Sequence, residues 1–203
     1  HIISDFWSFG VMAREVAALY TAFIKDKSAD LPALPVQYAD YAVWQRQWLQ
    51  GQALEAQLNY WQDKLGGELP VLDLPTDRPR PAVQTHRGAI ESLVLPKELT
   101  DALRAMSQQE GVTRLMPHFA AFKTLLYRLT GPADTIGGAP IAGRNRTELE
   151  WLIGFFMNTI VMRTDLSGLP TFRELLGRVK ETALGAYAHQ DMPFEKLVEE
   201  LSP

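Results

Sequence analysis

The sequence predicts a layered α/β protein, and three observations lead there. From Gly88 onward the elements read strand, helix, helix, strand, strand, helix, helix. The stretch Gly154 to Arg163 is a near-continuous apolar run, the pattern of a strand covered on both faces. Three helical segments precede these elements, set apart from them by a proline-rich stretch.

The elements follow in order. From Ser8 to about Asp26 the residues Phe9, Met12, Val16, Leu19, Tyr20 and Phe23 recur at spacings of three and four. This predicts a helix with one apolar stripe and Ser8 as its N-cap. Pro32 and Pro35 end that region. Gln37 to Gln50 and Ala53 to Leu65 read as two more helices, with Tyr41, Trp44 and Trp48 on one stripe and Asp40 off it. Gly66 and Gly67 supply the stop. Glu68 to Arg87 carries Pro70, Pro75, Pro79 and Pro81 among charges with little periodicity, so a linker or surface strap is expected there. Gly88 to Leu95 alternates and reads as a strand. Lys97 to Glu110 follows as a helix, with Pro96 leading in and Gly111 stopping it. Thr113 to Leu129 is a helix with Phe119, Phe122, Leu125, Leu126 and Leu129 expected on its buried side. Asp134 to Ile141 is a strand rich in small residues, and Ala142 to Glu148 is a polar loop. Phe172 to His189 and Phe194 to Leu201 close the chain as helices.

Bulk composition narrows the function. A formal net charge of −4 over 203 residues leaves no broad basic footprint for nucleic acid. The chain has no cysteine, which excludes disulfides and thiolate metal sites. The histidines at 1, 86, 118 and 189 show no metal-ligand spacing. No apolar run approaches the roughly 18 residues a membrane helix needs. The start on His1 and the stop on Leu201-Ser202-Pro203 read as cut points within a longer chain.

A few residues stand out as chemistry. His1 and Asp5 are spaced four apart ahead of a helix start, where free N–H groups collect. A histidine there can serve as general base or donor near neutral pH. The aspartate can orient the histidine or hold the loop through an ion pair, and a capped helix start beside a frayed His1 is the plainer alternative. Arg144 and Arg146 follow a small-residue strand without a phosphate-binding glycine loop; an ion pair with Asp5 is equally open. Asn158, inside an apolar run, needs a partner if buried; Thr159 or a site role would satisfy it. Asp191 is read as the N-cap of the last helix with Pro193 in its first turn, and His189 as an exposed residue at the previous helix end.

The stretches HIISDFWS, YADYAVW, GAPIAGRNR, IGFFMNT and HQDMPFEKLV occur in that order in one chain. Together they resemble the condensation domain of nonribosomal peptide synthetases, most closely the subtype joining two L-residues, over essentially the whole chain. The resemblance implies a two-lobed, chloramphenicol-acetyltransferase-like layered fold with its N-terminal lobe truncated. Residues 1–67 would be the end of the first lobe with its connecting helices, 68–87 a linker, and 88–203 most of the second lobe. It implies amide-bond formation between an upstream acyl or peptidyl thioester and a downstream aminoacyl thioester. Both would ride on 4'-phosphopantetheine arms of carrier domains, with an adenylation domain adjacent, no cofactor or metal in this domain, and a cytoplasmic location. His1 matches the second histidine of the family's His-His-x-x-x-Asp-Gly motif and would be catalytic, as base or as positioner of the amine. Asp5 and Arg144 would be structural, paired with each other. Phe6, Trp7, Ser8 and Asn158 would border the substrate tunnel.

The sequence departs from the family at Phe6, which stands where the motif has glycine. If that position takes a left-handed backbone, the phenylalanine costs roughly 1–2 kcal/mol. Trp151, in place of a small residue, would narrow the tunnel with it; Arg114 and His118 interrupt a face that is typically apolar. These departures motivate a second reading, a non-catalytic docking module of the same fold, and an epimerisation domain is a third. A heterocyclising relative is disfavoured, because His1 stands where that subtype has aspartate. The isolated chain is expected to be inactive and to aggregate through exposed strand edges.

Overall fold

The computed structural model describes residues 1–79, 81–83, 85 and 87–201. Arg80, Gln84 and His86 of the linker reading, and Ser202 and Pro203, lie outside the described residues. The described elements are helices α1 (Phe6–Ile24), α2 (Tyr38–Trp48), α3 (Gly51–Leu65), α4 (Lys97–Gln109) and α5 (Leu115–Thr130), strand β1 (Asp134–Ile141), a 3-10 turn (Thr147–Leu149), strand β2 (Asn158–Asp165), and helices α6 (Phe172–Ala188) and α7 (Phe194–Leu201). β1 and β2 form a two-stranded sheet. The bond from Leu166 N to Ala133 O and the approach of Gly138 to Thr159 show that one strand descends as the other climbs, an antiparallel register.

By contacts the chain forms two compact units. The first holds His1–Gly67, Gly138–Val161 and the stretch from Ala188 on; the second holds Glu68–Gly137 and Met162–Tyr187. One border between the units falls between Gly67 and Glu68.

In the first unit α1 starts one turn earlier than the sequence suggests. Asp5, not Ser8, is the N-cap, and Ser8 at the third helical position completes a capping box. A serine three residues after an aspartate can answer the cap from inside the helix, so the two are ambiguous in sequence. The helix buries Ser8 and Val11, and the stripe of Phe9, Met12, Val16, Leu19, Tyr20 and Phe23 is exposed. Periodicity finds the helix and one apolar face; packing within this unit selects the other face. The core of the unit is Leu149, Leu152 and Phe156 with Val36 and Tyr41 packed on it. Along α2, Tyr41 meets Trp44 at 5.9 Å and Trp44 stacks on Trp48 at 5.6 Å. Asp40 accepts from Gln37 N at the helix start.

The expected strand at 154–163 begins only at Asn158. Its first residues cannot join a ladder because side chains take their backbone groups. Ser8 Oγ takes Gly154 N–H, Asp5 takes Phe156 N–H, and Tyr38 O–H donates to Phe155 O. α7 runs from Phe194 as expected, but Asp191 accepts from Asn145 Nδ2 instead of capping it. His189 is half-buried rather than exposed, its ring stacked on Tyr60 at 3.8 Å.

In the second unit, the residues from Gly88 to Leu95 form no strand. Ile90, Leu93 and Val94 are exposed, and among the described residues no strand pairs with them; alternation alone makes no ladder. α5 also turns differently from expectation. Leu126 is buried, but Phe122, Leu125 and Leu129 are exposed, and Lys123 lies inside at 1% exposure. The ammonium is accommodated by three acceptors, Thr135 O at 2.8 Å, Met162 O at 2.8 Å and Thr135 Oγ1 at 3.1 Å. Burial, opposed in part by Asp134, pushes its pKa down to about 8.

Candidate active site

The first unit gathers most of the residues singled out in the sequence. His1 is exposed, its ring edge-on to Phe155 at 5.7 Å. Its Nδ1 lies 3.2 Å from Ser4 O. A carbonyl only accepts, so in the neutral ring Nδ1 carries the proton and Nε2 presents a lone pair. Asp5 does not orient this ring. Its carboxylate, 2% exposed, accepts from Ser8 N and Ser8 Oγ at 2.8 Å each, from Phe156 N at 3.1 Å and from Arg144 Nη2 at 3.2 Å. Burial is the largest single influence on its pKa and opposes ionisation. The bonds from Ser8 and Phe156 and the Arg144 charge together outweigh it, and the carboxyl is held below its ordinary range.

Arg144, at 1% side-chain exposure, closes the arrangement. Nη1 donates to Leu149 O and Leu152 O, Nη2 reaches Asp5 and Ser8 Oγ, and the guanidinium lies 4.1 Å over Phe156. Arg146 is elsewhere, 4.4 Å over Trp44. One glycine makes the approach possible. Gly143 has φ +64°, and a Cβ there would sit 1.9 Å from Phe156 O, so no side chain fits.

Asn158 uses both ends of its amide. Nδ2 donates to Gln190 O and Met192 O, and Oδ1 accepts from Thr159 N and from Phe194 N, the first residue of α7. It ties β2 to the 190–194 loop and serves α7 as a cap from a distance, which no local capping pattern in the sequence could reveal. Asn158 also borders a cavity of about 200 Å³ with Tyr38, Tyr41, Trp44, Phe155 and Asp191. Burial, then Tyr38 and Asp191, push the Tyr41 phenol up, so it stays a donor there.

The departures fall outside this cluster. Phe6 occupies the first turn of α1, is absent from the left-handed region and is 88% exposed, so the strain considered for it does not arise. Trp7 Nε1 donates to Glu150 O, and Trp151 carries Arg14 over its face at 4.6 Å. Sequence reasoning missed Tyr38, Gly143 and Gly154 as parts of the site, because their roles are backbone contacts made to distant stretches of chain or depend on a close approach that spacing does not show. Among the described residues no group of three or more histidine, aspartate or glutamate side chains could hold a metal, and no helix is long and apolar enough to cross a membrane.

A family model described as the condensation domain matches residues 1–203. One of the linear gramicidin synthase proteins of Brevibacillus parabrevis is 59% identical over 201 residues, covering 99% of this chain and 3% of that protein. The solved X-domain from teicoplanin biosynthesis superposes with a TM-score of 0.89 at 32% identity, covering 98% of this chain and 46% of that one. The first condensation domain of the calcium-dependent antibiotic synthetase, in complex with a substrate analogue, shares the fold with a TM-score of 0.79 at 23% identity, covering 99% of this chain and 44% of that one. These define an α/β, chloramphenicol-acetyltransferase-like fold of the acyltransferase type. The chain belongs to the condensation-domain family of nonribosomal peptide synthetases, enzymes that as a family form amide bonds. It spans under half of the solved domains it matches and a few per cent of the gramicidin synthase protein.

Proposed function

We propose that this segment carries the condensation site of a synthetase module and that His1 acts there. The observation that carries the reading is the imidazole with Nδ1 committed to Ser4 O and Nε2 open, beside a buried brace of Asp5, Ser8 and Arg144. The reaction joins two carrier-bound thioesters of the L-configured subtype. The downstream amine attacks the upstream carbonyl, a C–N bond forms, the C–S bond breaks, and the amine proton passes by way of Nε2 to the departing thiolate. An acceptor nitrogen suits both the removal of that proton and the alignment of the amine. Tethering supplies the rest by holding the reactants together. The partners are the upstream and downstream carrier domains with their phosphopantetheine arms and a neighbouring adenylation domain, in the cytoplasm. Asp5 and Arg144 act as structure, not as proton carriers.

A docking module is the second reading, favoured by one observation: a relative, the teicoplanin X-domain, is solved in a complex with OxyB. Intact-mass analysis separates the two. A full-length domain bearing this sequence is mixed with an acyl-loaded upstream carrier and an aminoacyl-loaded downstream carrier. Condensation moves the acyl mass onto the downstream carrier. Unchanged carrier masses over many hours would leave docking as the function.

A further inference from the structure

We propose that Ser8 is a positioning residue for His1, a role that rests on the reaction assigned above. Ser8 is 1% exposed in the first turn of α1. Around its one oxygen lie Asp5 Oδ1 at 2.8 Å, Gly154 O at 2.8 Å, Arg144 Nη2 at 3.1 Å, Gly154 N at 3.1 Å and Asp5 N at 3.4 Å. A hydroxyl has one proton and two lone pairs, so its capacity is filled whichever way the proton turns. Three separate stretches of chain, at 5, 144 and 154, meet on this atom.

Ser8 has no bond to His1, yet it holds the neighbours of both of the imidazole's supports. Ser4 O, which receives Nδ1, precedes Asp5, whose N–H and carboxylate both meet Ser8. Phe155, on which the ring rests, follows Gly154, whose N–H donates to Ser8 Oγ and whose C=O lies 2.8 Å from it. Gly154 is buried and cannot retreat toward α2, because its Cα already faces Tyr38: an added Cβ would lie 2.3 Å from Tyr38 Cδ2. Removing the hydroxyl leaves the buried Gly154 N–H without its acceptor, and the 154–155 backbone must shift to find another. A displacement of about 1 Å at a reacting group can cost on the order of 100-fold in rate.

The test is single-turnover peptide transfer between loaded carriers in a full-length domain, with rates expressed per folded molecule. Ser8→Ala and Ser8→Cys are each made with His1 present and in a His1→Ala background; Ser8→Thr, which keeps the hydroxyl, is the conservative partner. With His1 present, Ser8→Ala and Ser8→Cys should lower the rate about 10- to 100-fold with carrier KM values unchanged, and Ser8→Thr should recover most of it. In the His1→Ala background the Ser8 substitutions should change the residual rate less than about threefold, because both act through one group. Losses that multiply, or a wild-type rate for Ser8→Ala, would overturn the proposal. So would failure of all three variants to fold, which assigns Ser8 to stability alone. If His1→Ala alone transfers as fast as wild type, the reaction assigned to His1 is what fails, and Ser8 has nothing to position.

Discussion

Replacing Arg144 with methionine should unfold the first unit far more readily than any surface change. The guanidinium is 1% exposed and faces a carboxylate at 3.2 Å that is itself almost wholly buried. At that distance and an effective dielectric of about 20, the gross attraction is about 5 kcal/mol. Much of it is offset by the cost of taking both charges out of water, so the pair as a whole is worth far less. Removing one partner is different, because the buried Asp5 charge stays behind and the carbonyls of Leu149 and Leu152 lose their donor. The expected loss is roughly 3–5 kcal/mol, a large part of the roughly 5–15 kcal/mol that holds a domain folded. Urea unfolding followed by tryptophan emission reads it, with a midpoint fall on the order of 1–2 M. The acid side gives a second sign. Asp5 is held below its ordinary pKa, so its stabilisation is present above the unfolded value and lost as pH falls through the lower folded one. Without Arg144, burial meets less opposition, the folded pKa rises, and the acid loss of stability sets in at higher pH. A stability within about 0.5 kcal/mol of wild type, with an unmoved acid limb, would show that the buried pair does not hold this unit together.

Gly143→Ala should cost at least about 2 kcal/mol, since its Cβ would collide with Phe156 O at 1.9 Å; thermal melting checks this. Asn158→Leu should free the 190–194 loop while leaving α1 in place, seen as faster amide exchange at Phe194, whose N–H loses its acceptor. Lys123 gives an unusual pH dependence. Its folded pKa of about 8 lies below the ordinary 10.5, so the unfolded chain binds the extra proton between those values and stability rises with pH across that window. The difference between wild type and Lys123→Met should shift by about 3 kcal/mol toward wild type over that window; a flat difference would contradict the burial argument. Phe6→Gly should leave peptide transfer within about threefold and stability within about 1 kcal/mol, because the ring is solvent-facing and its backbone ordinarily helical.

The family is legible because five separated motifs stand in one order, and the helices because apolar spacing repeats. What periodicity leaves open is which face packs. The α1 stripe is a clear amphipathic signal, yet Ser8 and Val11 are the buried positions. The stretch 88–95 reads falsely as a strand because alternation says nothing about the presence of a pairing partner. Lys123 is invisible for a related reason: a lysine goes inside only where carbonyls from distant strands converge on it. At the site, the spacing of His1 and Asp5 leaves open whether the carboxylate orients the ring or braces the loop through an ion pair; its actual partners lie on distant stretches of chain, at Arg144 and Phe156. Gly143 and Gly154 are visible only as parts of motifs; the reason for glycine at each is a backbone or ring less than 2.5 Å from where a Cβ would be.

In the proposed reaction His1 presents Nε2 to the amine of the waiting aminoacyl group. The most direct measurement is the single-turnover rate of peptide transfer between preloaded carriers by a full-length domain bearing this sequence, compared with its His1→Ala variant. The parent should transfer the peptide, and the variant should lose about 100- to 10,000-fold in rate at unchanged fold. Equal rates in the two would contradict this role for His1.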